Sequence, residues 1–397
     1  MPHQNTVFRQ VSNLVPARQF DRFVEACDAD ARVRKFTARH LLNTLLFAQL
    51  SGARGIRELE SQIASHDVRR YHSGLPVVKR STLSDALARR DPEVFLALLS
   101  VLIGRLSGRQ GRDLAEAASA VRLIDSTSVR LSRISADWAR FSATLCGAKA
   151  HVVYDPDANI PLYVVVTAAN VNDITAAKEM PVDPGATYVF DLGYYDYAWW
   201  ARLHEAGCRI VTRFRSSTPL LVSETRVVPE AEQAGGEGKA AILSDRIGTL
   251  PARLTRTRRN PMSAPVREVT VVLQTGKTLR ILTNDLDAPA REIADLYKRR
   301  WAIELFFRWV KQMLKLRRFL GTSENAVKLQ IIVAMIAFVL IRLAHQACHG
   351  RVALTEFASL IRANILHRRS LEWLGGAPPC AEAPPVQCTD QQVFAWA

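Results

Sequence analysis

Apolar positions in the first hundred residues recur at helical spacing. In TARHLLNTLLFAQLSG (37–52) they fall three and four apart and stop at Gly52, the pattern of a helix closed by glycine. GIRELESQIASH (55–66) repeats the pattern. In RSTLSDALARRDPEVFLALLSVLIGRLSG (80–108), Thr82 followed three residues later by Asp85 reads as a capping box that opens a further helix. Residues 1–108 therefore predict a helical domain. Its basic faces suit either a helix-turn-helix DNA-binding unit or an ordinary bundle. GRQGRD (108–113) reads as a linker.

Beyond residue 120 the period shortens to two. AVRLIDSTSVRLS (120–132) is a strand pattern, and GAKAHVVYDPDANIPLYVVVTAAN (147–170) is two β-rich runs around the turn cluster DPDAN, a hairpin. A buried strand in ATYVFDLGYYDY (186–197), a helix in YAWWARLHEAG (197–207) and a strand in CRIVTRF (208–214) follow. Three antiparallel strands followed by alternating helix and strand predict an α/β domain with a mixed sheet. Residues 215–285 interrupt it as a β-rich insertion, ending in a hairpin with TGK (275–277) at its turn and containing no aromatic residue. DAPAREIADLYKRRWAIELFFRWVKQML (287–314) predicts one long helix. SENAVKLQIIVAMIAFVLIRLAHQAC (323–348) predicts another, capped near Ser323. The boundaries expected are a helical N-terminal DNA-binding domain (1–108), a catalytic domain (118–345) carrying the insertion, and a C-terminal helical segment with a Pro-rich tail (346–397).

Composition narrows the partners. A chain of 397 residues that is 48% hydrophobic supports large cores, and a net charge of +15 favours a polyanion, nucleic acid before membrane. IIVAMIAFVLI (331–341) is about half the length needed to span a bilayer and predicts a buried helix. The start lacks the apolar core of a signal peptide, so a cytoplasmic protein with no membrane partner is expected. Six scattered cysteines form no CxxC pair. His345, Cys348 and His349 lie close together without a fourth ligand and read as a helix end.

The chemistry lies in YKRRWAIELFFRWVKQML (297–314), where one acid, Glu304, stands among Lys298, Arg299, Arg300, Arg308 and Lys311, with Lys315 just beyond. Leu296, Ile303, Phe307, Val310 and Leu314 form an apolar stripe. Tyr297, Arg300, Glu304 and Lys311 form a second, about 100° round the helix. Arg300 and Arg308 are one turn either side of Glu304, which alone would mean surface ion pairs. Two further acids change the reading. Asp125 ends the apolar run VRLI and Asp191 ends TYVF; strands one and four would lie side by side, bringing both to one sheet edge as Glu304 arrives from the packed helix. Three converging carboxylates need divalent cations, and hard oxygen ligands suit Mg²⁺ or Mn²⁺. Two such ions about 4 Å apart serve phosphodiester chemistry. The flanking cations would hold the phosphates that the acids repel.

Tyr297, Arg300, Glu304 and Lys311 fit Y-x2-R-x3-E-x6-K, and the chain resembles the DDE transposases of the bacterial insertion-sequence IS-four family. DST at Asp125, DLGYYD at Asp191 and LGTSENAVKLQI (320–331) resemble that family's other motifs. The resemblance implies an RNase H-like mixed-sheet domain interrupted by a β-rich insertion. It implies two Mg²⁺ (or Mn²⁺) held by catalytic Asp125, Asp191 and Glu304, and double-stranded DNA gripped by Tyr297, Arg300, Arg308, Lys311 and Lys315. Cleavage at element ends, a hairpin intermediate and strand transfer by a homodimer holding both ends would follow. A relative stacks a flipped base on a Trp of the insertion; here an Arg of RTRR (256–259) or Trp301 would take that place. The competing readings are an RNase H-like nuclease that does not join ends and a catalytically silent DNA-binding derivative. No glycine-rich phosphate loop or Ser-His-Asp pattern favours a small-molecule enzyme.

Overall fold

The computed structural model describes residues 5–376 except 67–69, 71, 109–119, 141, 143–144, 235–239, 254–258, 274 and 314–318. Lys315, Leu314, most of the 108–113 linker, most of RTRR and most of the Pro-rich tail lie outside the described residues.

Helices α1 (Val7–Ser12), α2 (Ala17–Ala26), α3 (Ala38–Ser51), α4 (Ile56–Ala64), α5 (Arg80–Arg89) and α6 (Glu93–Leu106) form the N-terminal part. Helix α3 ends where its sequence says: Gly52 takes the left-handed conformation (φ 75°) that closes a helix at low cost. Thr82 does not cap α5. It sits inside the helix, whose N-cap is Lys79 with no side-chain bond. The stretch 80–108 is two helices, parted at Asp91-Pro92, because proline has no N–H to give and turns the residue before it away from helical geometry.

Strands β1 (Val121–Leu131), β2 (Cys146–Asp155) and β3 (Ile160–Ala168) form the expected antiparallel meander. Asn159, at φ 56°, closes the DPDAN turn. Then come α7 (Asp173–Glu179), β4 (Thr187–Phe190), α8 (Tyr197–Glu205) and β5 (Arg209–Arg213), with β4 parallel to both β1 and β5. The interrupting stretch supplies β6 (Leu221–Arg226), β7 (Ala241–Thr249), β8 (Val266–Val272) and β9 (Thr278–Thr283). It builds no separate sheet. β9 returns antiparallel to β5, giving one nine-stranded sheet in the order β3-β2-β1-β4-β5-β9-β8-β7-β6. Two buried ion-pair sets tie the added strands: Arg267 to Asp245, and Glu268 to Arg246 and Arg280.

Both faces of the central strands are covered. Leu123 and Val189 point into a core shared with the N-terminal helices, while Ile124, Tyr188 and Phe190 point into a second core with Trp199 and Trp200. That explains the near-continuous apolar runs of β1 and β4. The chain closes with α9 (Ala290–Arg299), α10 (Trp301–Met313), α11 (Glu324–Ala347) and α12 (Leu354–Ala363). Ser323 caps α11, accepting from Ala326 N–H. Among the described residues α11 is the one helix long and apolar enough to cross a membrane, yet most of it is buried, packed against α3, α5 and α6. At its end the His345 ring bonds Val352 O, and His345, Cys348 and His349 form no metal group.

One expectation changes near the chemistry. The long helix over 287–314 is two helices broken at Arg300. No proline or glycine stands there; the turn tightens, with Arg300 N–H bonding Tyr297 O and Ile303 N–H bonding Arg300 O.

Candidate active site

β1 and β4 run parallel in register, Leu123 opposite Val189. Two residues further along each strand stand Asp125 and Asp191. The two places differ in backbone course. β4 stops at Phe190, and Asp191 opens a single 3-10 turn, its Oδ1 accepting Gly193 N–H at 2.8 Å. β1 continues along β2, and Asp125 Oδ1 accepts Ser126 N–H at 2.8 Å. Each carboxylate is thus fixed by a backbone donor.

Glu304 lies in the first turn of α10, just past the break, and Ile303, Phe307 and Val310 seat that helix in the core. Arg300 joins the two halves of the site. Its guanidinium donates to Glu304 Oε1 at 2.5 Å and to Asp125 Oδ2 at 3.4 Å, and it lies 5.9 Å from the Tyr297 ring centroid. Asp125 is pushed up to about 6, first by burial and then by the Asp191 and Glu304 charges, against the Ser126 N–H and Arg300. Lys311 is half-buried and its ammonium is held below the usual lysine range by burial, with the Asp125 charge opposing. Arg308 is exposed on the outer face of α10.

The structure therefore brings Asp125, Asp191, Glu304, Arg300 and Lys311 into one field, with Tyr297 at its margin; Arg308 stands apart. Among the described residues no three His, Cys, Asp or Glu side chains stand close enough to form a ready metal cage. The donor set nonetheless suits a hard divalent cation: like charges raise Asp125, and an arginine now bridges two of the three acids.

Sequence reasoning missed a neighbouring set. Asp173, first residue of α7, accepts from Ser126 Oγ (2.8 Å) and Lys149 Nζ (3.1 Å). His151 is fully buried beside it, bonded to Thr167 and lowered to about 4 by burial. The buried Tyr194 hydroxyl has no hydrogen-bond partner. Burial, then the charges of Asp125, Asp173 and Asp191, hold it far above the usual phenol range. Lys149 and His151 could have been found by their shared face on β2. Asp173 carries no such signal.

Beside the acids an open groove of about 770 Å³ runs between the added strands and the helix break. Val271, Leu273, Leu279 and Ile281 line one wall, and Tyr297, Lys298, Arg300 and Trp301 the other. Trp301 is half exposed.

A family model described as a transposase DDE domain matches residues 116–340, and one described as a domain of unknown function matches 3–76. A protein named as a transposase in Sinorhizobium fredii is 39% identical over 297 residues, 75% of this chain and 80% of that one. A protein of Geobacillus stearothermophilus, named as a transposase for insertion sequence element IS5377, is 27% identical over 377 residues, 95% of each. Among solved structures, a piggyBac transposase synaptic complex with hairpin DNA aligns at a TM-score of 0.44 and 11% identity, over 94% of this chain and 82% of that one. With its domain model spanning Asp125, Asp191 and Glu304, the chain belongs to the DDE transposases, metal-dependent enzymes that cleave DNA and transfer the cut strands.

Proposed function

We propose that this transposase cuts the ends of its insertion sequence and joins them to target DNA through Asp125, Asp191 and Glu304. The observation that carries the reading is the placing of Asp125 on β1 and Asp191 just past the end of its parallel neighbour β4, with Arg300 linking Asp125 to Glu304. The strand order β3-β2-β1-β4-β5 supports an RNase H-like core. The three carboxylates would hold two Mg²⁺ (or Mn²⁺), which supply activation of the attacking oxygen and charge stabilisation at the phosphorus.

The chain's own residues do the rest. Asp125 and Asp191 are oriented by Ser126 and Gly193 N–H, so little reorganisation is needed on binding. Arg300 offsets the charge of Asp125 and Glu304, and its guanidinium fork suits a phosphate of the bound DNA. Lys311, Arg308 and Lys315 hold the DNA backbone near the cut, and Tyr297 packs beside it. Trp301, in the groove formed with the added strands, serves as the stacking surface for a flipped base of a hairpin intermediate. The helices of 1–108 bind the terminal repeats, and a homodimer in the cytoplasm holds both ends.

The test uses labelled DNA carrying the element's own end, with Mg²⁺ or Ca²⁺, and Asp191→Asn as control. Mg²⁺-dependent cleavage plus joined products, both lost in the variant, is the expected result. Cleavage without joined products would refute strand transfer, and equal activity in the variant would refute the acidic site.

A further inference from the structure

Asp173 belongs to no strand that carries a candidate metal ligand, yet it touches the surroundings of two. Its Oδ1 accepts from Ser126 Oγ at 2.8 Å and from Lys149 Nζ at 3.1 Å, and the buried His151 Nδ1 lies 3.6 Å away, beyond hydrogen-bond reach. Ser126 is the residue whose N–H fixes Asp125. Oδ2 faces the other motif. A side chain grown on Gly193 would meet Asp191 Oδ1 at 3.0 Å and Asp173 Oδ2 at 3.2 Å, so Gly193 is wedged between the two carboxylates. Gly193 N–H fixes Asp191. Lys149 is anchored in turn by Val171 O at 3.0 Å. The buried Tyr194 phenol lies in the field of the same carboxylates, Asp125, Asp173 and Asp191. A half-buried carboxylate in such an acidic place is costly unless it is compensated, and Lys149 compensates it.

We propose that Asp173 is a positioning residue. Tied to Lys149 and Ser126 and packed against Gly193, it holds the Asp125 strand and the Asp191 turn at one spacing, and so sets how tightly the two aspartates hold divalent metal. The inference rests on the acidic-site reading. With its Oδ1 accepting from Ser126 and Lys149, Asp173 acts through these two hydrogen bonds.

The test is direct Mn²⁺ titration of the full chain, following free Mn²⁺ by electron paramagnetic resonance, alongside the Mg²⁺ dependence of cleavage. Asp173→Ala should weaken Mn²⁺ binding about tenfold with unchanged stoichiometry, as expected for loss of a group that orients ligands. Cleavage should recover at high metal concentration. Asp173→Asn keeps an acceptor oxygen for Ser126 and should retain most of the affinity. Ser126→Ala cuts one of the same ties from the other end at little risk to folding; it should weaken Mn²⁺ binding in the same direction, and the double variant should be no worse than Asp173→Ala alone. Equal and complete loss in Asn and Ala variants with fewer Mn²⁺ bound would make Asp173 a ligand and overturn the proposal. Wild-type affinity in both Asp173→Ala and Ser126→Ala, with binding lost in Asp125→Asn, would overturn the proposal alone. Mn²⁺ binding indifferent to Asp125→Asn would remove the acidic-site reading and this inference with it.

Discussion

Replacing Asp125 by Asn should make the metal-free protein more stable. The carboxyl is largely buried, with its side chain 18% exposed, and it is raised from 3.8 to about 6. A group that holds its proton more tightly when folded destabilises the fold once it ionises. The penalty is small near pH 4, grows as pH rises through 6, and is complete at neutral pH. Two pK units correspond to about 3 kcal/mol, which coupling to Arg300 and local water reduce to about 1–3 kcal/mol. Asparagine retains an acceptor for Ser126 N–H, and Arg300 keeps Glu304, so few contacts are lost. Urea unfolding in a chelator should therefore show Asp125→Asn more stable than wild type by about 1–3 kcal/mol at pH 7.5, and by less than about 1 kcal/mol at pH 4. His151, lowered to about 4, works in the opposite sense, losing stability as pH falls below 6.5, but it is common to both proteins and cancels in the difference. Mg²⁺ at a hundred times its dissociation constant should then stabilise wild type by about 2.7 kcal/mol and leave the variant unmoved. A variant no more stable at pH 7.5, or a gain that persists undiminished at pH 4, would refute the electrostatic account.

Glu304→Gln should lower end cleavage by roughly a hundredfold, equivalent to about 2.7 kcal/mol in the barrier, while gel-shift affinity for DNA stays within about twofold. Asp245→Ala strands the buried Arg267, 3% exposed at its side chain, and should cost about 3–5 kcal/mol in urea unfolding; a loss under about 1 kcal/mol would show the pair to be dispensable. Gly248→Ala would place a methyl 2.2 Å from Leu221 O across the β6–β7 ladder. Amide exchange at 221–226 should accelerate sharply, with about 1–3 kcal/mol of stability lost.

Much of the scaffold was legible because local pattern and tertiary role agree. The buried runs VRLI and TYVF read as apolar stretches of strand, and their ends marked Asp125, which lies within β1, and Asp191, which follows β4. The stripe Ile303, Phe307 and Val310 is buried, leaving Glu304 at its margin. Ser323 was readable as a cap because its side chain does what the residue type favours. The failures share one cause, that long-range contacts leave no local trace. Thr82 offered a capping box by spacing, but the helix starts earlier, after Lys79. The apolar stripe runs unbroken past Arg300, so nothing in the period announces the break between the two helices. Asp173 reaches Ser126 across the sheet edge from a loop end that resembles any other helix start. The joining of β9 to β5 was hidden because pairing partners are not written in either strand.

That joining fixes how the chain tolerates change of length. Residues 214 and 280 face each other, Phe214 N–H bonded to Arg280 O at 2.8 Å, and the Arg280 guanidinium also lies 4.4 Å from the Phe214 ring centroid and bonds Arg215, Ser216 and Thr218 carbonyls. Everything between leaves and re-enters the sheet through one clasp. Closure entropy grows only slowly with loop length, so the turns joining the added strands can change length at little cost, while β7 and β8 stay tied to the start of α9 through Arg267, bonded to Ala288 O, and Arg291, bonded to Ala240 O. Evolution can thus vary the far rim of the groove at its turns while the acids keep their places, and a designer could graft new length at the same turns.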